Sequence, residues 1–268
     1  MEGVSTELTH PAWVDLEGAA NVRDLGGLPV EGGGRTAAGV MIRADNLQGL
    51  SASDVERLVG GLGVRVVVDL RSGVEVELEG PGPLVRDDRV EIRHRSLYPE
   101  AGERTDVAAA DVLPWQGRPL EGGPDEPLVV RVYLCYLRDR PDSIVAALRD
   151  IAHAPGAAVV HCAAGKDRTG VVCALALEAV GVTRAAVVAD YAATGERLSG
   201  ILARLRSSPT YAGDLDGRPD DSHRPRPATM ARVLEILDGH GGARGWLAAH
   251  GFGAADRAAL RARLVEGV

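Results

Sequence analysis

The sequence predicts an α/β protein: a parallel-rich central sheet flanked by helices, with a helical lid and carboxyl-terminal helices. Short apolar runs at 64–70 and 157–160 read as buried strands. Helical segments alternate with them, which is how parallel strands come to be covered on both faces. At 268 residues and 45% apolar content the chain can bury a sizeable core, so residues 1–268 are expected to form one domain.

Each element has its own signal. Residues 39–44 form a strand candidate, and 51–62 a helix with Ser51 or Ser53 as cap and Asp54 and Glu56 in its first turn. Residues 91–97 alternate like a half-exposed strand. The stretch 99–127 is rich in Pro, Gly and acids and is expected to be a mobile segment. Residues 128–154 read as two helices interrupted at Pro141. The strand at 157–160 then leads through a loop into an apolar helix starting just after Arg168, over 171–180. Thr183 is placed to cap a helix running toward Arg206. A second Pro/Asp/Gly stretch, 207–227, is also expected to be mobile, and 228–268 is helical with breaks at 239–242 and near Gly251.

Composition narrows the function. A net charge of −8 disfavours general nucleic-acid binding, so attraction of an anionic substrate must be local. Three widely spaced cysteines point to a reducing, cytoplasmic setting. Residues 1–16 carry Glu2, Glu7 and Asp15 with no apolar h-region, and no run approaches the ~18 apolar residues of a membrane span.

The chemistry is concentrated in HCAAGKDRTG, His161 to Gly170. It holds the single lysine of the chain, Lys166; the other 29 of the 30 Lys+Arg positions are arginine. A loop between a strand and a helix aims backbone N–H groups and the helix dipole at one point. Ala163, Ala164 and Gly165 are small enough for that backbone to approach a phosphate. The same field favours the thiolate of Cys162, and Arg168 offers a planar fork for two phosphoryl oxygens. On this reading Cys162 attacks phosphorus, Arg168 and the loop amides hold the equatorial oxygens, and Thr169 steadies the departing thiolate. His161 orients the loop, while Cys135 and Cys173 are inert packing. Neither a metal nor a cofactor is implied, because no His, Cys, Asp and Glu cluster has ligand spacing.

The general acid is open between two residues. A Trp-Pro-Asp tripeptide is absent; Asp167 lies in the loop, and Asp69 ends the 64–69 run where parallel strands converge on a ligand crevice. Asp167 is favoured, with Asp69 kept as a substrate-side or arginine-pairing residue. Arg43 and Arg71 are pocket candidates, and Asn21, Arg23 and Asp24 either serve the site or lock the amino terminus to the sheet. His223, Arg224 and Arg226 form a small basic cluster.

Several segments together resemble the PtpB-like bacterial tyrosine phosphatases: Asn21 to Gly27, Ile42 to Leu47, Val68 to Arg71, the HCAAGKDRTG loop, Ala189 to Tyr191 and Gly245 to Leu264. The resemblance implies a cysteine-dependent phosphatase-like fold and activity on phosphotyrosine, with phosphoserine, phosphothreonine and phosphoinositides as further substrates. It also implies Asp167 as acid and Lys166 as the residue tied to lipid phosphates. The partner is then a phosphoprotein or phosphoinositide, with no nucleic acid and no stable membrane insertion. Two other readings share the loop: a sulfurtransferase-like enzyme whose cysteine carries a persulfide, and a phosphate-binding module without turnover. Lys166, Thr169 and Gly170 favour ester hydrolysis.

Overall fold

The computed structural model describes residues 10–99, 120–215 and 217–267. Its main sheet contains β1 (Ala12–Trp13), β2 (Arg23–Asp24), β4 (Met41–Ala44), β5 (Val64–Asp69), β6 (Glu91–His94) and β7 (Ala157–His161), in the order β1-β2-β4-β7-β5-β6. The two short segments β3 (Arg35–Thr36) and β8 (Val265–Glu266) pair separately. Strands β4, β7, β5 and β6 run parallel, as the alternation of elements implied. Strands β1 and β2 add an antiparallel edge that the sequence did not announce. Its consequence is to lay Arg23 beside Arg43.

Alternation along the strands sorts their side chains between two cores. Met41, Val66, Val68, Ala158, Val160 and Cys162 face the larger one, and Ile42, Ala44, Ala157 and Val159 the smaller. Val64 and Val67 share the smaller core despite lying three residues apart, because the β5–β7 register shifts between Val64 and Val66.

The helices follow from caps and breakers. Helix α1 (Ala52–Glu56) starts with a complete Ser51–Asp54 capping box, and its expected continuation to residue 62 is a π-helical turn, Arg57–Gly61. Helix α2 (Gly73–Glu79), absent from the sequence reading, starts with a second box, Ser72–Glu75. The chain breaks between α3 (Leu128–Asp139) and α4 (Pro141–Ala152) with Pro141 in the first turn of α4. Helix α5 (Asp167–Val180) is buried over most of its surface and begins inside the loop, not after Arg168 as expected. The Gly170 N–H already donates to the Lys166 carbonyl at 2.9 Å, so Asp167, Arg168 and Thr169 occupy the first turn. At its far end Gly181 adopts φ +94°, and Arg244 and Arg261 donate to the last carbonyls.

The single helix expected from Thr183 to Arg206 is two, α6 (Arg184–Ala193) and α7 (Leu198–Ser207), joined by a 3₁₀ turn. Arg23 Nη2 donates to the Asp190 carbonyl at 2.6 Å, taking an acceptor that a continuing helix would use. Thr183 stands at the cap position without a side-chain cap bond. Within 207–227 the chain forms α8 (Ala212–Leu215) and a 3₁₀ turn, Asp220–His223; most of the 99–127 stretch lies outside the described residues. Helices α9 (Pro227–Asp238), α10 (Gly242–Ala249) and α11 (Ala254–Leu264) complete the larger core, with breaks at the expected glycines. No described helix is long and apolar enough to cross a membrane.

Candidate active site

Strand β7 delivers His161 and Cys162 to the carboxyl edge of the sheet between β4 and β5, and α5 begins five residues later. The turn closes on Gly165 at φ +63°, where a Cβ would lie 2.4 Å from the Ala44 carbonyl oxygen. Only glycine meets both demands. The Asn46 N–H donates to the Ala163 carbonyl at 3.0 Å, and Asn21 Nδ2 donates to the carbonyls of Ala164 and Gly165 at 3.0 and 3.1 Å. Arg43 Nη2 reaches the Gly165 carbonyl at 2.6 Å. Asn21 therefore serves the loop, and Arg43 braces it from behind instead of lining the pocket.

Arg168 returns across the loop and is gripped by Glu75. Its Nη1 and Nη2 donate to the two carboxylate oxygens at 2.5 and 2.9 Å, both side chains being buried. Glu75 is fixed in turn by accepting the Ser72 N–H at 2.7 Å, the helix-cap bond of α2. Burial opposes ionisation of both groups, but each outweighs that penalty for the other, raising the Arg168 pKa and lowering that of Glu75. The guanidinium also lies over the Tyr98 ring, 5.0 Å from its centre.

Asp167, beside it, accepts from the Tyr133 hydroxyl at 2.6 Å, and Tyr133 shares a second bond with Tyr191 at 2.9 Å. Lys166 Nζ lies 3.7 Å from the Asp167 carboxylate and donates to the His223 carbonyl at 2.8 Å, linking the 220–223 turn to the loop. The Thr169 hydroxyl is buried with no hydrogen-bond partner among the described residues.

Asp69 stands elsewhere than its sequence role suggested. It forms a fork-to-fork pair with Arg71, Nη2 to Oδ2 at 2.6 Å, and faces His161 Nε2 at 3.6 Å. Burial resists its ionisation, yet His161 and Arg71 hold the carboxyl below its ordinary range. Neither Asp69 nor Arg71 lines the cavity over Cys162, because each is taken up by the other beneath it. The His161 ring is lowered to about 4, mainly by burial against the opposing pull of Asp69, and sits 3.3 Å from the Cys162 carbonyl. Asp24 accepts from the N–H groups of Gly26 and Gly39, bracing the amino-terminal segment.

Above Cys162 opens a cavity of about 910 Å³. Its floor is the loop from Cys162 to Arg168, its walls are apolar residues of α3 and α7 with Tyr98, Tyr133 and Tyr211, and Arg218 and His223 stand at one side. A model of the tyrosine phosphatase family matches residues 14–266, nearly the whole chain. This chain belongs to that family. Tyrosine phosphatases are hydrolases, and the relatives carry phosphatase names. The chain is 30% identical to a tyrosine-protein phosphatase of Nostoc commune over 85% of its own length and 74% of that protein. It is 29% identical to the triple specificity protein phosphatase PtpB of Mycobacterium tuberculosis over 77% of its length and 78% of that protein. A putative tyrosine-protein phosphatase of Cupriavidus necator is 32% identical over 66% of this chain and 61% of that one.

Sequence reasoning about this phosphatase missed Glu75, Tyr133 and Tyr98. A signal for Glu75 was present: Ser72-x-x-Glu75 is a capping-box spacing directly after the Asp69-Leu70-Arg71 strand end. The tyrosines carry no comparable local mark.

Proposed function

We propose that this phosphatase hydrolyses phosphotyrosine through a phosphocysteine on Cys162. The observation that carries the reading is the end-on grip of Glu75 on Arg168. It engages one N–H of each terminal nitrogen and leaves the Nε–H edge of the fork for a phosphoryl group above the buried Cys162. The Cys162 thiolate attacks phosphorus in line, forming the S–P bond as the P–O bond to the tyrosine oxygen breaks. Arg168 and the loop amides hold the three equatorial oxygens as charge spreads over them. Asp167 gives its proton to the leaving oxygen, then takes one from the water that attacks the phosphocysteine. The Thr169 hydroxyl donates to the sulfur as it leaves, a role its unpartnered, buried oxygen supports. His161 supports the loop from beneath through its contacts with Asp69 and the Cys162 carbonyl.

The apolar, tyrosine-rich walls suit an aromatic substrate ring. The mycobacterial relative is named a triple specificity protein phosphatase, which supports a range wider than phosphotyrosine, and we take phosphoserine, phosphothreonine and phosphoinositides as the further substrates. Lys166 lines the cavity with Arg218 and His223, which supports assigning it to an additional phosphate. The odd number and wide spacing of the three cysteines support a reducing, cytoplasmic setting. The test is hydrolysis of p-nitrophenyl phosphate with a chelator present. Vanadate is expected to inhibit it and Cys162→Ser to abolish it; chelator-resistant turnover by Cys162→Ser would refute the mechanism.

A further inference from the structure

Beneath the loop lies a buried cluster that these reaction steps do not use. Asp190 on α6 accepts from Arg23 Nε at 2.8 Å and from Arg43 Nη1 at 2.5 Å. Arg23 Nη1 also donates to Asn21 Oδ1 at 2.6 Å, which turns the Asn21 amide so that Nδ2 faces the loop. From there Nδ2 binds the carbonyls of Ala164 and Gly165, the second of which Arg43 binds as well. With the Asn46 N–H on Ala163, three consecutive loop carbonyls are held from behind.

A trans peptide points its C=O and N–H in opposite directions. Holding the carbonyls of Ala163, Ala164 and Gly165 behind the loop therefore turns the N–H groups of Ala164, Gly165 and Lys166 toward the cavity. None of these three donates to another group among the described residues. The cluster is also unbalanced in charge. Two guanidinium groups, both fully buried, share one carboxylate, and His10, 3.3 Å from Asp190, can add only positive charge. Burial, and then the Arg43 charge, bring Arg23 down to about 10, whereas the burial of Arg43 is outweighed, chiefly by Asp190, and its pKa is raised. The one carboxylate thus serves Arg43, and the excess charge of the pair falls on Arg23. A buried cation without its own counterion gains when an anion comes close. Arg43 Nη2 touches the peptide whose N–H faces the cavity, so an oxyanion there lies one peptide away.

We propose that Asn21, Arg23, Arg43 and Asp190 are positioning residues of the phosphate loop: they preset three amides toward the bound oxyanion and place one uncompensated positive charge beneath it. The proposal rests on the loop being the phosphoryl site.

The test is calorimetric titration of inorganic phosphate into Cys162→Ser, alone and combined with Asn21→Ala, Arg43→Gln or Arg43→Lys. Asn21→Ala and Arg43→Gln are expected to weaken phosphate binding by ~10-fold or more, as for a lost charge-assisted contact. Arg43→Lys, which keeps the charge, recovers part of that loss. Val59→Ala, in the core on the other face of the sheet, is expected to lower Tm without changing the phosphate Kd, separating positioning from general stability. If Asn21→Ala does not fold, Thr194→Val removes a hydroxyl that accepts from Arg23 while keeping its shape, and binding is expected to weaken about 3-fold. Failure of Cys162→Ser itself to bind phosphate would overturn the loop assignment and this proposal together. Binding by Cys162→Ser that is unchanged by Asn21→Ala, or by Thr194→Val in its place, and by Arg43→Gln would overturn this proposal alone. Equal affinities for Arg43→Lys and Arg43→Gln would remove its charge component.

Discussion

Glu75→Gln separates the charge that holds Arg168 from the volume that surrounds it. The native carboxylate is fully buried and receives Arg168 at 2.5 and 2.9 Å and the Ser72 N–H at 2.7 Å. Glutamine keeps the volume, and its carbonyl oxygen can keep the helix cap, but its amide hydrogens meet a guanidinium that has lost its counterion. Removing one partner of a buried pair costs about 3–5 kcal/mol. In a chain of this size that corresponds to a fall in Tm of roughly 10 °C. Arg168 is then free to swing, and misplacement of a catalytic group by about 1 Å costs ~100-fold in rate. Phosphate carries the missing negative charge, so its binding should weaken less than turnover does. The assays are thermal unfolding, phosphate titration and steady-state kinetics on p-nitrophenyl phosphate. A native Tm together with a kcat/KM within about 3-fold of wild type would refute the assignment of Glu75 as the anchor of Arg168.

Three further outcomes are expected. Asp167→Asn should slow phosphotyrosine hydrolysis by ~100-fold or more but p-nitrophenyl phosphate much less, since the nitrophenolate leaves without a proton; equal losses would remove Asp167 as the acid. Lys166→Ala should reduce kcat/KM on multiply phosphorylated inositol lipids ~10- to 100-fold more than on phosphotyrosine peptides, and equal losses would count against the lipid reading. The buried His161 ring titrates at about 4, below its ordinary 6.5, so between these values the unfolded chain binds a proton that the fold refuses. Stability should therefore fall by about 3 kcal/mol as pH drops from 6.5 to 4, and His161→Gln should flatten that window in urea titrations; an unchanged slope would contradict the assignment.

The loop was legible because its chemistry fixes residue types at short spacing, and the Pro141 break because proline acts locally. The supports of the loop were not. Glu75 lies 93 residues from Arg168, and Tyr133 lies 34 from Asp167, so no local pattern joins them. Strands β1 and β2 have two residues each, too few for periodicity to show, yet they bring Asn21 and Arg23 under the loop. Asp69 was legible as a strand-end residue, but its fork-to-fork pairing with Arg71, which turns it away from the cavity, depends on side-chain geometry. The break between α6 and α7 likewise reflects Arg23, distant in sequence, claiming a helix carbonyl.

The central claim is that Cys162 carries the phosphoryl group between substrate and water. Rapid mixing with p-nitrophenyl phosphate in chelator, acid quenching and mass spectrometry of the digested protein test it directly. The expected result is a phosphoryl adduct on the Cys162 peptide that forms within one turnover and is absent from Cys162→Ser. Full wild-type turnover with no adduct at Cys162, or an adduct on another residue, would contradict the account.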